Sequence, residues 1–155
     1  MAYSQLQKLE SRVHIKASAE KFHDLFSNRT HHIAKICPDK VQAINIHKGE
    51  WGSEGSIISW NYLHEGKAHA DKLVVESIDR ENNIIIFKAV EGGLLGYYKS
   101  LKSTLQITSK ENGSEVLWVL EYEKQNANIP DPHSYLKLAD ELSKEIDAYL
   151  TKDQN

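Results

Sequence analysis

The sequence predicts an α+β fold: a seven-stranded antiparallel β-sheet curved around one long C-terminal α-helix, with two short helices after the first strand. Three observations predict it. From Val41 to Tyr122 apolar and polar residues alternate with a period of two, interrupted only by short turn-rich segments. Two stretches before Val41 and one long stretch from Asp131 instead repeat at three and four, the spacing of a helix face. The connections between the alternating segments are short, whereas parallel neighbours need a crossover of a dozen or more residues, so the strands must run antiparallel. One large apolar sheet face with a single long helix to cover it gives a two-layer arrangement. With 155 residues, 40% of them hydrophobic, the chain is expected to be one domain spanning residues 1–155. That length buries roughly 70% of the unfolded surface without staples.

Leu6 to Ile15 sets Leu6, Leu9, Val13 and Ile15 among polar residues and reads as the first strand. Ser18 is placed to cap a helix over AEKFHDLF, with Phe22, Leu25 and Phe26 on its apolar side. Thr30 to Cys37 reads as a second short helix that puts Ile33, Ile36 and Cys37 on one side and stops at Pro38. Val41 to His47 is the next strand. Gly49-Glu-Trp-Gly-Ser-Glu-Gly55 is a turn, and Ser56 to Tyr62 is a strand that points Ile58, Trp60 and Tyr62 inward. Turns at Glu65-Gly66 and Glu81-Asn82-Asn83 bound the strand Ala68 to Ile78, and Ile84 to Val90 follows with Ile85 and Phe87 on one face. Glu91-Gly92-Gly93 ends that strand before Tyr97 to Thr108, where Leu101, Leu105 and Ile107 share a face. Asn112-Gly113 is a strong hairpin signal, after which Val116, Trp118, Leu120 and Tyr122 line one face of the last strand.

Asp131 to Leu150 closes the chain as an amphipathic helix, with Asp131 as the expected N-cap and Pro132 at the first helical position. Tyr135, Leu138, Ala139, Leu142, Ile146, Tyr149 and Leu150 fall on one stripe. At 1.5 Å per residue the rod is on the order of 30 Å long, enough to cross a small domain.

Charge narrows the functions. The formal net charge is -3, and the 19 Lys and Arg residues are spread with no run longer than two, which argues against nucleic acid as a partner. A single cysteine, Cys37, can form neither an internal disulfide nor a multi-cysteine zinc site, and suits a reducing compartment. No apolar run approaches the roughly 20 residues that span a bilayer, and MAYSQLQKLE lacks the apolar core of a leader. The expected location is cytoplasmic, without integral membrane association.

Three motifs invite chemistry. The glycine-rich turn with Gly49, Trp51, Gly52 and Gly55 joins two strands and contains Glu50 and Glu54, whereas a phosphate loop leads into a helix through Gly-Lys-Ser/Thr. Its glycines are expected to serve a tight turn, with Trp51 covering an end of the core. Eight histidines suggest a metal, yet His31-His32 should diverge on a helix and His64 and His69 flank a hairpin without a suitable third ligand, so no metal and no cofactor is expected. Tyr62, His69, Asp71, Tyr97 and Tyr122 are titratable groups on or near strands that burial could tune. A bulge would change the parity of His69 and Asp71, and no residue is assigned a catalytic role.

Four stretches stand out together: Gly49-x-Trp51-Gly52-x-x-Gly55 with Ser56-Ile57-Ile58-x-Trp60-Asn61-Tyr62, Val90-Glu91-Gly92-Gly93, Glu121-Tyr122-Glu123-Lys124, and Ile129-Pro130-Asp131-Pro132. By these, in order over essentially the whole chain, the sequence resembles the major latex proteins, within the birch-pollen-allergen (Bet v 1) and pathogenesis-related class of the steroid-transfer-domain-like (START-like) superfamily. The resemblance implies a helix-grip fold with an internal hydrophobic cavity. Periodicity alone shows only an apolar inner face, which a filled core would share.

With a cavity, the wall would comprise Phe26, Ile33, Ile36, Ile58, Trp60, Tyr62, Ile85, Phe87, Leu94, Leu95, Tyr97, Leu101, Trp118, Leu120, Tyr122, Tyr135, Leu138, Ala139 and Leu142, with Leu94, Leu95 and Tyr97 at the mouth. The function implied is a carrier for hydrophobic plant metabolites, such as sterol- or steroid-like compounds, terpenoids, flavonoids or hormones, with a link to defence or stress. The alternative is a cofactor-independent isomerase, cyclase or condensing enzyme acting on the same ligand class. A ribonuclease activity ranks low, because the acidic balance offers phosphate no footprint. The expected state is a monomer or a weak dimer.

Overall fold

The computed structural model describes residues 6–152. The first five residues, on which the leader reading partly rests, lie outside that range. Seven strands, β1 (Gln7–Ile15), β2 (Val41–Lys48), β3 (Ile57–His64), β4 (Lys67–Asp79), β5 (Ile84–Gly92), β6 (Tyr98–Lys110) and β7 (Gly113–Lys124), form one antiparallel sheet. The spatial order is β1-β7-β6-β5-β4-β3-β2, so every consecutive pair from β2 to β7 is a neighbour and β1 adds to the far side of β7. Helices α1 (Ala19–Asn28) and α2 (Ile33–Ile36), with a 3-10 turn Thr30–His32 between them, follow β1. A second 3-10 turn, Gly93–Gly96, joins β5 to β6, and α3 (His133–Thr151) ends the chain.

The sheet curves around α3, and the seam is polar as well as apolar. Ser11 on β1 donates to Asp140 at 2.6 Å, and Asp147 accepts from the Ala17 amide at 2.8 Å and from Lys16. Inside, Ile146, Leu142 and Leu136 of α3 are buried with Val13 and Ile15 of β1, Phe22 and Phe26 of α1, and Trp118 of β7. Ser18 caps α1 as its sequence suggests, its hydroxyl accepting from the Lys21 amide at 3.2 Å.

The start of α3 differs from expectation. The helix begins at His133 with Pro132 at its cap position and no side-chain cap. The Asp131 carboxylate is instead engaged by the Tyr122 phenol at 2.8 Å and the Lys124 ammonium at 3.3 Å, so β7 takes the group that was expected to serve the helix. The apolar stripe also shifts: Leu136 is buried, while Tyr149 is 47% exposed and carries Lys152 over its ring.

The turn between β2 and β3 holds Gly49, Gly52 and Gly55 at φ of 83°, 84° and 86°, in the left-handed region that side chains disfavour. Trp51 within it stacks on His31 at 4.3 Å and packs against the core, closing that end as expected. Arg80 donates to the Gly52 carbonyl at 2.8 Å and to the Asn28 side chain, holding the turn against the end of α1.

Candidate functional site: an apolar cavity beside a polar cleft

Between the sheet and α3 lies an apolar space of about 150 Å³. Its wall is Phe26 of α1, Val41 of β2, Trp60 and Tyr62 of β3, Asp71 and Leu73 of β4, Phe87 of β5, Leu94 of the 3-10 turn, Ser103 of β6, Trp118 of β7, and Tyr135, Leu138, Ala139 and Leu142 of α3. The side chains are held from behind. Phe26 meets Trp118 edge-on at 5.5 Å and Phe22 at 5.2 Å. Trp118 Nε1 donates to Ser143 Oγ at 2.8 Å, which fixes the indole on α3. The Trp60 indole N–H is buried without a partner among the described residues.

A polar group closes one end of this space. Strand register places Trp60 opposite Asp71 and Tyr62 opposite His69, so all four side chains share the inner side of the β3–β4 pair. Asp71 is the diagonal neighbour of Tyr62 and accepts its phenol proton on Oδ2, while Oδ1 accepts from the Leu94 amide at 2.9 Å. The carboxyl is only 3% exposed. Burial pushes it above the ordinary carboxylate range, with the Tyr62 and Leu94 donors pulling the other way. Burial, reinforced by the Asp71 charge, drives the Tyr62 phenol far above the usual range, and Tyr135 is pushed up to about 12 by burial and then by Asp71.

Beyond Tyr135 is an outer cleft of about 450 Å³, lined by His64, Glu65, Lys67 and His69 of the β3–β4 hairpin, Tyr97 and Tyr98 before and at the start of β6, Ile129, Pro130 and Asp131 ahead of α3, and Ser134 and Tyr135 of α3. Tyr135 lines both spaces. Its ring stacks on His64 at 3.8 Å with an 8° interplanar angle, and His64 Nε2 lies 2.7 Å from Ser134 Oγ. His69 stacks on Tyr62 at 5.6 Å and meets His64 edge-on at 5.3 Å. The two spaces therefore meet at the Tyr135 ring.

Comparison with known proteins places this architecture. Residues 4–153 match the Pathogenesis-related protein Bet v 1 family. The chain belongs to that family. Within it, the chain is 46% identical over 155 residues to MLP-like protein 43 of Arabidopsis thaliana, covering 99% of this chain and 98% of that one. It spans about half the length of another Arabidopsis relative, MLP-like protein 34, at 45% identity. The crystal structure of ginseng major latex-like protein 151 from Panax ginseng superposes with a TM-score of 0.90 at 35% identity, over 93% of this chain and 97% of that one. Norcoclaurine synthase from Thalictrum flavum shares the fold alone, with a TM-score of 0.77 at 15% identity. The chain is thus a major-latex-type member of the Bet v 1 family, whose fold binds small hydrophobic ligands.

Of the nineteen wall residues expected from the sequence of this Bet v 1 family member, Phe26, Trp60, Tyr62, Phe87, Leu94, Trp118, Tyr135, Leu138, Ala139 and Leu142 line the inner cavity. Ile33, Ile58, Ile85, Leu101, Leu120 and Tyr122 are buried in the core around it, and Ile36 and Leu95 are partly buried against that core. Tyr97 lies in the outer cleft and is 48% exposed, because the 3-10 turn displaces it from β6, which begins at Tyr98. Val41, Asp71, Leu73 and Ser103 line the cavity but were not among the expected wall residues. Ser103 was legible by parity, since it shares a strand face with Leu101 and Leu105.

The remaining reactive groups are accounted for. Cys37 is fully buried, and burial followed by the neighbouring Glu145 pushes its thiol up to about 12, which keeps it protonated and a poor nucleophile. His31 and His32, expected to diverge on a helix, sit on the 3-10 turn with their rings edge-on at 4.5 Å. Among the described residues no three His, Cys, Asp or Glu groups come together to hold a metal ion, and no helix is long and apolar enough to cross a membrane.

Proposed function

We propose that this protein is a cytosolic carrier for hydrophobic plant metabolites with a flat, ring-containing body, such as terpenoids, flavonoids, hormones or small steroid-like compounds, and that it takes part in defence or stress responses. The observation that carries the reading is the apolar cavity between the sheet and α3, which supplies aromatic area from Trp60, Phe87, Trp118 and Tyr135. Apolar cavities of this size stay dry and accept aromatic guests, so a ligand displaces little bound water on entry.

The test is to fill the cavity. Ala139 lines it from α3 and is partly buried, so Ala139→Phe projects a ring into the ligand's space. Native mass spectra of the purified protein after incubation with a plant metabolite extract are expected to show a retained, chemically unchanged hydrophobic compound. The Ala139→Phe protein, folded by far-UV circular dichroism, is expected to lose it. Equal retention by the two proteins would place the ligand elsewhere.

A second reading is supported by the Tyr62–Asp71 pair in the cavity wall: a cofactor-independent isomerase, cyclase or condensing enzyme, in which these groups or His69 relay a proton. Both oxygens of Asp71 already accept hydrogen bonds from the protein, which favours a positioning role and places this reading second. Chromatography of the same extract separates the two, since an enzyme depletes one compound and produces an isomer or condensation product.

A further inference from the structure

The inner cavity, at about 150 Å³, is about half the lower end of the roughly 300–1,000 Å³ occupied by drug-sized ligands, whereas the outer cleft adds about 450 Å³ across the Tyr135 ring. A larger ligand that extends across the shared Tyr135 ring enters this cleft. What it meets there is chemically unlike the cavity. Tyr97 and Tyr98 present rings, with Tyr97 half-exposed, and between them and the β3–β4 hairpin stand His69, Ser134 and Asp131, groups able to donate or accept hydrogen bonds. Aromatic faces beside a few hydrogen-bonding groups suit a compact head with apolar C–H faces and many hydroxyls.

The charges discriminate further. Glu65 and Lys67 bring opposite charges to the cleft and Asp131 is already paired with Lys124, so an anionic head finds no spare cation to repay its desolvation there. A cationic head has only Glu65 and Asp131 to address, and Asp131 is already committed to Tyr122 and Lys124. A neutral polyol avoids both penalties.

We infer that the outer cleft is a second subsite, one that takes the neutral, hydroxyl-rich head, such as a glycosyl group, of a ligand whose flat apolar body occupies the inner cavity. The inference rests on the carrier reading of that cavity and adds the part of the ligand that selects among apolar bodies of similar shape. Tyr135, stacked on His64 and shared by both spaces, is the ring the ligand must displace or lie against, and Tyr97 is the platform for the head.

Three fluorescent probes with one body and different heads test this: 2-naphthol, 2-naphthyl β-D-glucoside and 2-naphthyl phosphate, titrated into the full chain. The glucoside is expected to bind at least about tenfold more tightly than 2-naphthol, equivalent to about 1.4 kcal/mol, and the phosphate no more tightly than 2-naphthol. Tyr97→Ala, at a position exposed enough to leave the core intact, is expected to bring the glucoside and naphthol affinities within about twofold of each other. Folding of the variant is checked by far-UV circular dichroism. Equal binding of naphthol and glucoside overturns the second subsite and leaves the carrier reading standing. A preference that survives both Tyr97→Ala and His69→Ala overturns its location, and tightest binding by the phosphate makes the cleft an anion site. Failure of all three probes to bind overturns the carrier reading and this one together.

Discussion

At the scale of single residues, Asp71 ties together three parts of the wall. Its carboxylate receives the Tyr62 phenol from β3 and the Leu94 amide from the 3-10 turn, so one side chain fixes the turn that supplies Leu94 to the cavity. Gly92 makes this approach possible. It sits at φ of 120°, and a Cβ there would lie 2.5 Å from both the Ala70 carbonyl and Asp71 Oδ1, so a side chain would strain the backbone and push the carboxylate away. Tyr62→Phe removes one donor and leaves a buried carboxylate oxygen unmet, which is expected to cost about 1–3 kcal/mol. Urea denaturation checks it, with a lowered midpoint at an unchanged slope. Asp71→Ala, which removes the acceptor of both donors, is expected to loosen the Leu94 amide in hydrogen exchange more than Tyr62→Phe does. Equal protection of that amide in both variants would mean that Asp71 does not hold the turn.

At the scale of elements, α3 is secured more by what it offers to the rest of the chain than by its own cap. Asp147 accepts from the amides of Lys16 and Ala17, where β1 ends and the chain turns toward α1, and Ser114 adds a hydrogen bond to the Ala17 carbonyl at 2.8 Å. Asp147→Ala strands the Ala17 amide in a fully buried position and is expected to cost about 1–3 kcal/mol, with faster exchange at Ala17 and unchanged exchange in the middle of β6. Uniform loss of protection would instead indicate global destabilisation. The same contrast explains what could be read in advance. Strand periods, the Ser18 cap and the Asn112-Gly113 turn depend on neighbours in sequence, and all appear where the sequence places them, within a residue or two at their ends. Asp131-Pro132 also looks local, but Tyr122 and Lys124 compete for the carboxylate, and no spacing rule weighs a phenol on β7 against an orphan helix amide. Asp71 was singled out as a titratable group on a strand, but its face was left open. A carboxyl on the inner face contradicts the expectation that such faces are apolar, and only the pairing of Trp60 with Asp71 shows it pointing inward. The 3-10 turn Gly93–Gly96, after which β6 begins at Tyr98 and not at Tyr97, has no periodicity to reveal it.

At the scale of the whole molecule, the fold is closed by neutral imidazoles packed between layers, which makes its stability depend on pH. His23 of α1 is buried with Nε2 at 3.3 Å from the Ile84 carbonyl of β5, His64 of β3 is buried under α3 beside Tyr135 and Ser134, and His31 stacks on Trp51 over the end of the core. Burial is the largest cause in each case, and it lowers all three below the ordinary histidine value of 6.5. The unfolded chain therefore binds these protons more readily than the folded one, so stability rises with pH across this range. Their contribution is fully present above about pH 6.5 and is lost as pH falls through the depressed folded values. Asp71 acts in the opposite sense. Its folded carboxyl is raised above the ordinary 3.8, so the folded state takes up this proton first and gains stability as pH falls through the raised value toward 3.8. Each proton of difference changes stability by about 1.4 kcal/mol per pH unit, so the three histidines should give a net loss on acidification from pH 7 to pH 5. Urea midpoints measured across that interval are expected to fall for the native chain and to fall less for His64→Gln and His23→Gln. A profile that is flat in the native chain and unchanged by the histidine substitutions would show that these rings are not held neutral by the packing of α1 and α3 on the sheet.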